Sequence, residues 1–418
     1  MNMASSLFRR IIKKQVTVGI VGMGYVGSAL SEATSGAGYS TIGFDIDEAL
    51  VVSLNSQKQN NFLATTNKQF LISCDIVCIC VPTPVNKDNT PNLSFFESAI
   101  REVANVLISG QLIIIESSIT PGSVRNLALP ILEKSSLKVS QDFFLGFAPE
   151  RIDPGNKKFT LYNIPKVVSG FDKTSLRLTA RFYGNLVEKV VSVSTIEVAE
   201  MTKFLENVFR MVNISFINEL SDYAKVKGID ILEAINAAAT KPFGFLPHYP
   251  GPGAGGDCIP VLSYYLLDDA KKHKIKLRMV DAAMQVNEGR LKKITEKVAN
   301  IMNHKSNGEA NNKKPKVLIV GVAYKAESSN IRGSVSLKVW QQMEKMGAEI
   351  SYHDPFVPRV NGHYSVPLTR ENILGNDVIV ITTDHRNIKY EELVKSKKPI
   401  VDARNVLRNY RLPHIIRI

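Results

Sequence analysis

The sequence predicts an α/β protein with two parallel-sheet domains joined by a central helical domain that carries one long helix. Three observations predict it. Residues 16–21 form a short β-branched run ending in a glycine triplet, and short strand-like runs alternate with helical stretches after it. From Thr195 the alternation stops, and residues 197–226 show apolar positions at helical spacing with no Gly or Pro. Beyond a polar, Asn- and Lys-rich stretch at 304–314, residues 317–320 are again a strand that runs into Gly321. The expected divisions are a basic segment at 1–15, a sheet domain at 16–195, a helical domain at 196–303, a linker at 304–314 and a second sheet domain at 315–418.

Composition narrows the classes. At 418 residues there is material for two or three domains, and 44% hydrophobic with 22% charged residues is the balance of an ordinary soluble globular protein. No apolar run approaches a bilayer span. The start places Arg9, Arg10, Lys13 and Lys14 around Leu7, Phe8, Ile11 and Ile12, without the apolar core and cleavage site of a secretion signal. It reads as a short basic amphipathic helix or a frayed tail. The net charge of +13 comes with no nucleic-acid recognition motif, and it suits small anions such as nucleotides. Of the four cysteines, Cys74, Cys78 and Cys80 crowd one apolar segment at a spacing that matches no zinc site. They read as buried strand thiols in a reducing cytoplasm, with no metal.

In order along the chain, the first strand enters Gly22-Met23-Gly24-Tyr25-Val26-Gly27, a helix-compatible stretch covers 28–37, and a second strand at 41–44 ends at Asp45. This is a dinucleotide-binding arrangement in its full context. Gly22 makes the tight turn, Gly24 admits the pyrophosphate, and Gly27 lets helix and strand pack closely. Asp45, 18 residues after Gly27, is placed to accept from the adenosine ribose, so NAD is expected over NADP. Further strands are expected at 75–81, 111–116, 143–147, 166–169 and 189–192. Ligands of open parallel sheets bind beyond the carboxyl ends of the strands, so Thr83, Ser117 and Ser118 are candidate cofactor contacts. Turn chemistry or helix capping is the competing reading, about even for Ser117. Glu150 lies on a third such loop, as a general acid/base or as a solvated loop charge.

On the long helix Lys203, Glu206, Asn207, Arg210 and Asn213 recur three and four apart, which is ordinarily a wet face. The helix length suggests instead a link between domains or subunits. After a second helix at 231–239 comes a loop of four glycines and three prolines, from Tyr249 to Pro260, with Cys258 near its end. Glycine lets main-chain N–H groups approach a ligand, and a cysteine held there is a candidate nucleophile or a small buried side chain in a turn. Helices follow to about residue 302. The last domain repeats the strand, glycine, helix, strand and acid series with Gly321 and Asp354 but without the triplet, as expected for a second nucleotide.

Taken together, Gly22 to Gly27, Val81-Pro-Thr-Pro84, residues 117–122, Ala148-Pro-Glu-Arg151, Glu200-Met-Thr-Lys203 through Asn207, Gly255-Gly-Asp-Cys-Ile-Pro260, Gly321-Val-Ala-Tyr-Lys325 with Arg332, and Asp402-Ala-Arg-Asn405 resemble the UDP-glucose/GDP-mannose dehydrogenase family. The resemblance covers nearly the whole chain and leans towards its UDP-N-acetylglucosamine 6-dehydrogenase branch. It implies two Rossmann-like domains and a four-electron, NAD-dependent oxidation of a UDP-sugar at C6, feeding polysaccharide precursors. It also implies a Cys258 thiohemiacetal and thioester, with Lys203 and Asn207 stabilising oxyanion charge and Glu150 as acid/base. By the same pattern Arg151, Lys203, Tyr249, Gly255, Lys325 and Arg332 bind the UDP-sugar; Gly22, Gly24, Tyr25, Val26, Gly27, Asp45, Thr83 and Ser118 bind NAD. The long helix would form a homodimer core.

The departures concern proton handling. Where the family places His before the cysteine this chain has Asp257, and where it places Asp and Pro after it this chain has Leu262 and Ser263. Asp257 offers a carboxylate and equally a like charge beside a thiolate. Glu327, Asn330 and Gly333 occupy positions that are acidic in the family's later motif. The alternative reading is therefore a homologue that binds NAD and a UDP-sugar with impaired turnover. A two-electron hydroxyacid dehydrogenase ranks lower, since it has no need of Cys258, Lys203 and Asn207 together.

Overall fold

The computed structural model describes residues 2–153, 156, 158–256, 258–306 and 314–418, with 303–306 described in backbone only. The chain divides into two compact units, Met1–Glu206 with Tyr264–His273, and Asn207–Ser263 with Lys274–Ile418.

The first unit begins with α1 (Met3–Ile12), β1 (Thr17–Val21), α2 (Tyr25–Gly36), β2 (Ser40–Phe44), α3 (Glu48–Ser56) and β3 (Phe62–Thr65). It continues with β4 (Ile76–Ile79), α4 (Ser94–Ala104), β5 (Leu112–Ile115), the short α5 (Leu129–Leu132), β6 (Phe144–Phe147), β7 (Lys166–Gly170), α6 (Lys173–Tyr183) and β8 (Val190–Ser192). The strands make one sheet in the order β3-β2-β1-β4-β5-β6-β7-β8. The chain works outward from β1 to β3 and then restarts beside β1 with β4, which puts the topological switch point between those two strands. Helices cover both faces, so β4 and β5 are apolar and buried at every residue.

One detail differs from expectation, and one open alternative is decided. The sheet is not wholly parallel: β7 pairs antiparallel with β6, matching Gly146 to Gly170 and Phe147 to Ser169. A parallel return needs a crossover, usually a helix. The described residues of 148–165 hold no helix. The basic start is a helix and not a frayed tail: Ala4, Leu7 and Ile11 of α1 are buried in the same apolar cluster as Leu178 and Phe182 of α6. Tyr39 donates its hydroxyl to the Ile11 carbonyl at 3.1 Å, and the Arg10 guanidinium forks onto both Asp75 oxygens at 2.6 and 2.5 Å. The three crowded cysteines are buried as expected, although only Cys78 lies within a strand.

α7 (Ile196–Val226) runs through the boundary between the units, its residues from Asn207 belonging to the second. α8 (Ile231–Ala238), α9 (Ile259–Lys272) and α10 (Arg278–Ser306) follow. The second sheet is built from β9 (Lys316–Val320), α11 (Val335–Lys345) and β10 (Glu349–His353), then a two-stranded hairpin of β11 (Arg359–Val360) and β12 (His363–Tyr364). α12 (Arg370–Leu374), β13 (Val378–Ile381), α13 (Tyr390–Lys395), β14 (Ile400–Asp402) and β15 (Ile415–Arg417) complete it. Its order is β10-β9-β13-β14-β15, with every pairing parallel. Ile294, Val298 and Met302 of α10 join Trp340 of α11 and Val317 of β9 in its core. The expected linker at 304–314 lies outside the described residues from 307 to 313, and α10 runs to Ser306.

Candidate active site

The cofactor edge lies where β1 meets α2. Gly22 has φ +89°, a left-handed turn that a side chain would strain. A Cβ on Gly27 would sit 1.9 Å from the Gly22 carbonyl oxygen, whereas one on Gly24 would meet nothing within 4 Å. The triplet therefore packs tightly at its third glycine and leaves open space at its second, where a pyrophosphate needs it. Gly24 is the N-cap of α2 and supplies no side-chain cap, so Tyr25, Val26 and Gly27 present first-turn N–H groups to that space. Asp45 closes the far side, its carboxylate accepting from Met23 N at 2.7 Å and Asp47 N at 3.0 Å. These features fit NAD.

The rims of the edge are tied together. Thr83 donates its hydroxyl to the Ser118 carbonyl at 2.8 Å, and Ser117 turns inward and donates to the Val81 carbonyl at 2.8 Å, tying the loop after β5 to the loop after β4. Two side chains to which the sequence analysis gave no role hold these loops. Tyr265 of α9 donates to the Pro84 carbonyl at 3.0 Å. Glu200 of α7 is buried and accepts from Gly122 N at 2.5 Å and Val124 N at 2.9 Å. Burial pushes the Glu200 carboxyl up to about 7, against the pull of those two N–H groups.

At the same edge, Glu150 is not a solvated loop charge. It is buried, with one oxygen accepting from Arg151 N and Ile152 N at 2.6 Å each and the other from Lys166 Nζ at 2.8 Å. Lys166 also donates to Glu116 at 2.7 Å, and Glu116 accepts from the Tyr183 hydroxyl. Burial alone would raise both carboxyls. For Glu150 the Lys166 charge and the N–H bonds outweigh burial and hold it below the ordinary range, whereas burial prevails at Glu116. The two carboxylates in turn hold the Lys166 ammonium above its usual value despite burial. Lys203 donates to the Glu150 carbonyl oxygen, and Arg151 pairs with Glu206 at 2.5 Å. Sequence reasoning missed Lys166 and Glu116; the available signal was a charge in, or directly after, an otherwise apolar buried strand.

In the second unit the backbone of the cysteine loop is held by side chains of α7 and α10. Asn218 of α7 accepts from Gly251 N at 2.8 Å, Arg290 of α10 donates to the Gly251 carbonyl at 3.1 Å, and Asn287 of α10 accepts from Ala254 N at 2.6 Å. Gly256 N then donates to the Gly333 carbonyl at 3.0 Å, which brings Gly255 and the loop end against the segment that carries Lys325 and Arg332. Cys258 is exposed, directly before the first residue of α9. Leu262 is buried and Ser263 bonds back to the Ile259 carbonyl at 3.0 Å, so neither offers a free polar group. Asp257 lies outside the described residues. Tyr249 is half exposed and donates to Asn236 at 2.9 Å; Asn207 is buried. Asp354 repeats the part of Asp45: its carboxylate accepts from Val322 N at 2.7 Å and Ala323 N at 3.0 Å in the loop after β9.

A glycine-triplet cofactor edge and a second sheet with its own glycine loop and terminal acid define a dinucleotide-dependent dehydrogenase with a further nucleotide-type domain. The chain belongs to the UDP-glucose/GDP-mannose dehydrogenase family, whose NAD binding domain matches residues 56–187, central domain 197–289 and UDP binding domain 318–409. It is an NAD-dependent nucleotide-sugar dehydrogenase by that membership. Among curated relatives, a UDP-N-acetyl-D-mannosamine dehydrogenase of Pyrococcus horikoshii is 31% identical, covering 96% of this chain and 98% of its own. A UDP-N-acetyl-D-glucosamine 6-dehydrogenase of Pseudomonas aeruginosa is 28% identical, covering 90% and 92%. The solved structure of the UDP-D-ManNAc dehydrogenase from Pyrococcus horikoshii superposes with a TM-score of 0.86 at 28% identity, over 96% of this chain and 99% of that one. No helix among the described residues is long and apolar enough to cross a membrane.

Proposed function

We propose that the chain oxidises the C6 hydroxyl of a UDP-sugar to a carboxylate in two successive steps, with UDP-N-acetylglucosamine as the sugar. The observation that carries this is an exposed Cys258 at the end of a glycine loop anchored by Asn218, Asn287 and Gly333. When bound at the Gly22 to Gly27 edge, with Asp45, Thr83 and Ser118 around it, NAD supplies the hydride acceptor that each oxidation requires. Cys258 adds as a thiolate to the aldehyde carbon, making a C–S bond and an oxyanion that takes up a proton. Loss of two electrons and the carbon-bound hydrogen turns that thiohemiacetal into a thioester. Water then attacks the carbonyl, the C–S bond breaks, and the carboxylate leaves Cys258 as a thiol. Lys203 and Asn207, one helical turn apart and both buried, are assigned to oxyanion charge and water. Glu150 is assigned as an ionised base and anchor of Lys203, since its carboxyl is held below the ordinary range. Arg151, Tyr249, Gly255, Lys325 and Arg332 are assigned to the UDP-sugar.

The homodimer belongs to the same proposal. Val198, Met201, Leu205, Phe209, Phe216 and Leu220 form an exposed apolar series along α7, which a second copy would cover. The three buried thiols suit a reducing compartment such as the cytoplasm.

Two further readings have particular support. UDP-N-acetylmannosamine is favoured by the name of the Pyrococcus relative. Impaired turnover is favoured by Leu262, an apolar buried residue where the resemblance implies Asp. The test incubates purified protein with NAD and, separately, UDP-N-acetylglucosamine, UDP-N-acetylmannosamine and UDP-glucose, alongside the Cys258→Ser variant. The proposal expects uronate from the first sugar and none from the variant. Uronate from another sugar alone would reassign the substrate, and binding without NADH from any would favour the impaired reading.

A further inference from the structure

The buried Lys166 has no part in the reaction as proposed, yet it sits at the centre of the charges beneath the cofactor edge. Its ammonium is 2.8 Å from a Glu150 oxygen and 2.7 Å from a Glu116 oxygen, and only 3% of the residue is exposed. A lysine at this depth is expensive to bury unless it is paired and hydrogen-bonded. Packing alone does not call for one, since the other residues of β7 are Val167, Val168, Ser169 and Gly170.

We propose that Lys166 is a positioning residue for the oxidation: it clamps the Glu150 carboxylate so that the Glu150 carbonyl oxygen is fixed to receive the Lys203 ammonium. The chain of contacts is continuous. The Tyr183 hydroxyl fixes Glu116, Glu116 fixes Lys166, Lys166 and two main-chain N–H groups fix both oxygens of Glu150, and the carbonyl of that same residue accepts from Lys203. With both carboxylate oxygens held, the peptide that carries the carbonyl has no freedom to rotate away. The groups that face or feel the Glu150 charge are Lys166 on β7, Glu116 after β5, Lys203 on α7, Tyr25 on α2 and Cys80 after β4. Lys166 is the cation bonded to the carboxylate itself. The inference rests on the roles proposed above for Lys203 and Glu150.

The test replaces Lys166 by Met together with Glu116 by Gln, removing one charge of each sign so that no carboxylate is stranded. Calorimetry with NAD reports whether the cofactor edge survives. The expected result is NAD affinity and UDP-sugar KM within about twofold of the parent, with the acid limb of the kcat profile displaced upward by about one pH unit as Glu150 loses its counter-charge. A variant that binds NAD but keeps the parent's acid limb overturns the proposal, whatever its kcat, because a merely structural Lys166 would leave that limb in place. Should the variant fail to fold, or the parent oxidise no UDP-sugar, carboxyl 13C NMR of the parent, with the Glu150 resonance assigned by its loss in Glu150→Gln, decides the clamp independently of turnover. A Glu150 resonance that remains that of a carboxylate at pH 4, below the ordinary carboxyl value, upholds the proposal, and one that is protonated there overturns it. Inactivity of the parent thus refutes the functional reading without deciding the clamp.

Discussion

At the scale of single residues, the departures from the family pattern have physical explanations of different kinds. Gly333 stands where the family resemblance implies an acid, and here no side chain fits without strain. A Cβ at that position would lie 2.8 to 2.9 Å from the Gly256 backbone, and its φ is +64°. The cysteine loop occupies the space. Gly333→Asp is therefore expected to lower unfolding stability by about 1–3 kcal/mol in chemical denaturation, despite restoring the family residue. An undiminished midpoint would show that the loop can withdraw. Glu200 gives a pH dependence whose sign is opposite to that of a paired carboxylate. Burial raises its folded-state value from 4.5 to about 7, so the folded protein holds a proton that the unfolded chain has released between those limits. Its contribution to stability is greatest below 4.5, falls as pH rises through about 7 and is level above it. The rise corresponds to on the order of 3 kcal/mol. Glu200→Gln should flatten that slope in melting curves taken from pH 5 to 8; an unchanged slope would place the titration elsewhere. Lys325→Ala and Arg332→Ala should each raise the UDP-sugar KM by about tenfold or more if they hold phosphate. Unchanged KM in both removes them from the site.

At the scale of elements, α7 follows the ordinary rule only in part. Of the polar positions readable as a wet face, Arg210 is exposed but Lys203 and Asn207 are buried, as are Glu200 and Asn218, while Leu205, Phe209, Phe216 and Leu220 are exposed. Periodicity reports which residues share a face; it cannot report which face meets protein, because that depends on partners far away in sequence. Glu200 is explained by the Gly122 and Val124 N–H groups and Asn218 by Gly251 N, none of which is near in the chain. If the exposed face is covered by a second copy, Phe209→Glu with Leu220→Glu should convert the protein to a monomer in light scattering. A parent that is itself monomeric would end the dimer proposal. The strands most easily missed are short: β3 has four residues, β15 three, and neither shows alternation that separates it from loop.

At the scale of the whole chain, the sequence made the fold class legible because the first glycine motif came with its strand, helix, second strand and acid. The structure keeps each in register, with Asp45 bonded back to the glycine loop it follows. The same device recurs with Asp354 after β10, which is why the second sheet domain was readable without a triplet. The antiparallel turn into β7 was not readable, since strand direction depends on a connection that carries no periodic signal. The candidate site was legible where a motif is contiguous, as in the cofactor loop and the cysteine loop. It was hidden where charges meet from separate strands, as Lys166 does with Glu116 and Glu150. Complete oxidation through Cys258 is tested by the NADH formed per UDP-N-acetylglucosamine consumed, run to completion with excess NAD. The expected ratio is two NADH per sugar with uronate as the product. One NADH per sugar, with aldehyde accumulating, would contradict it.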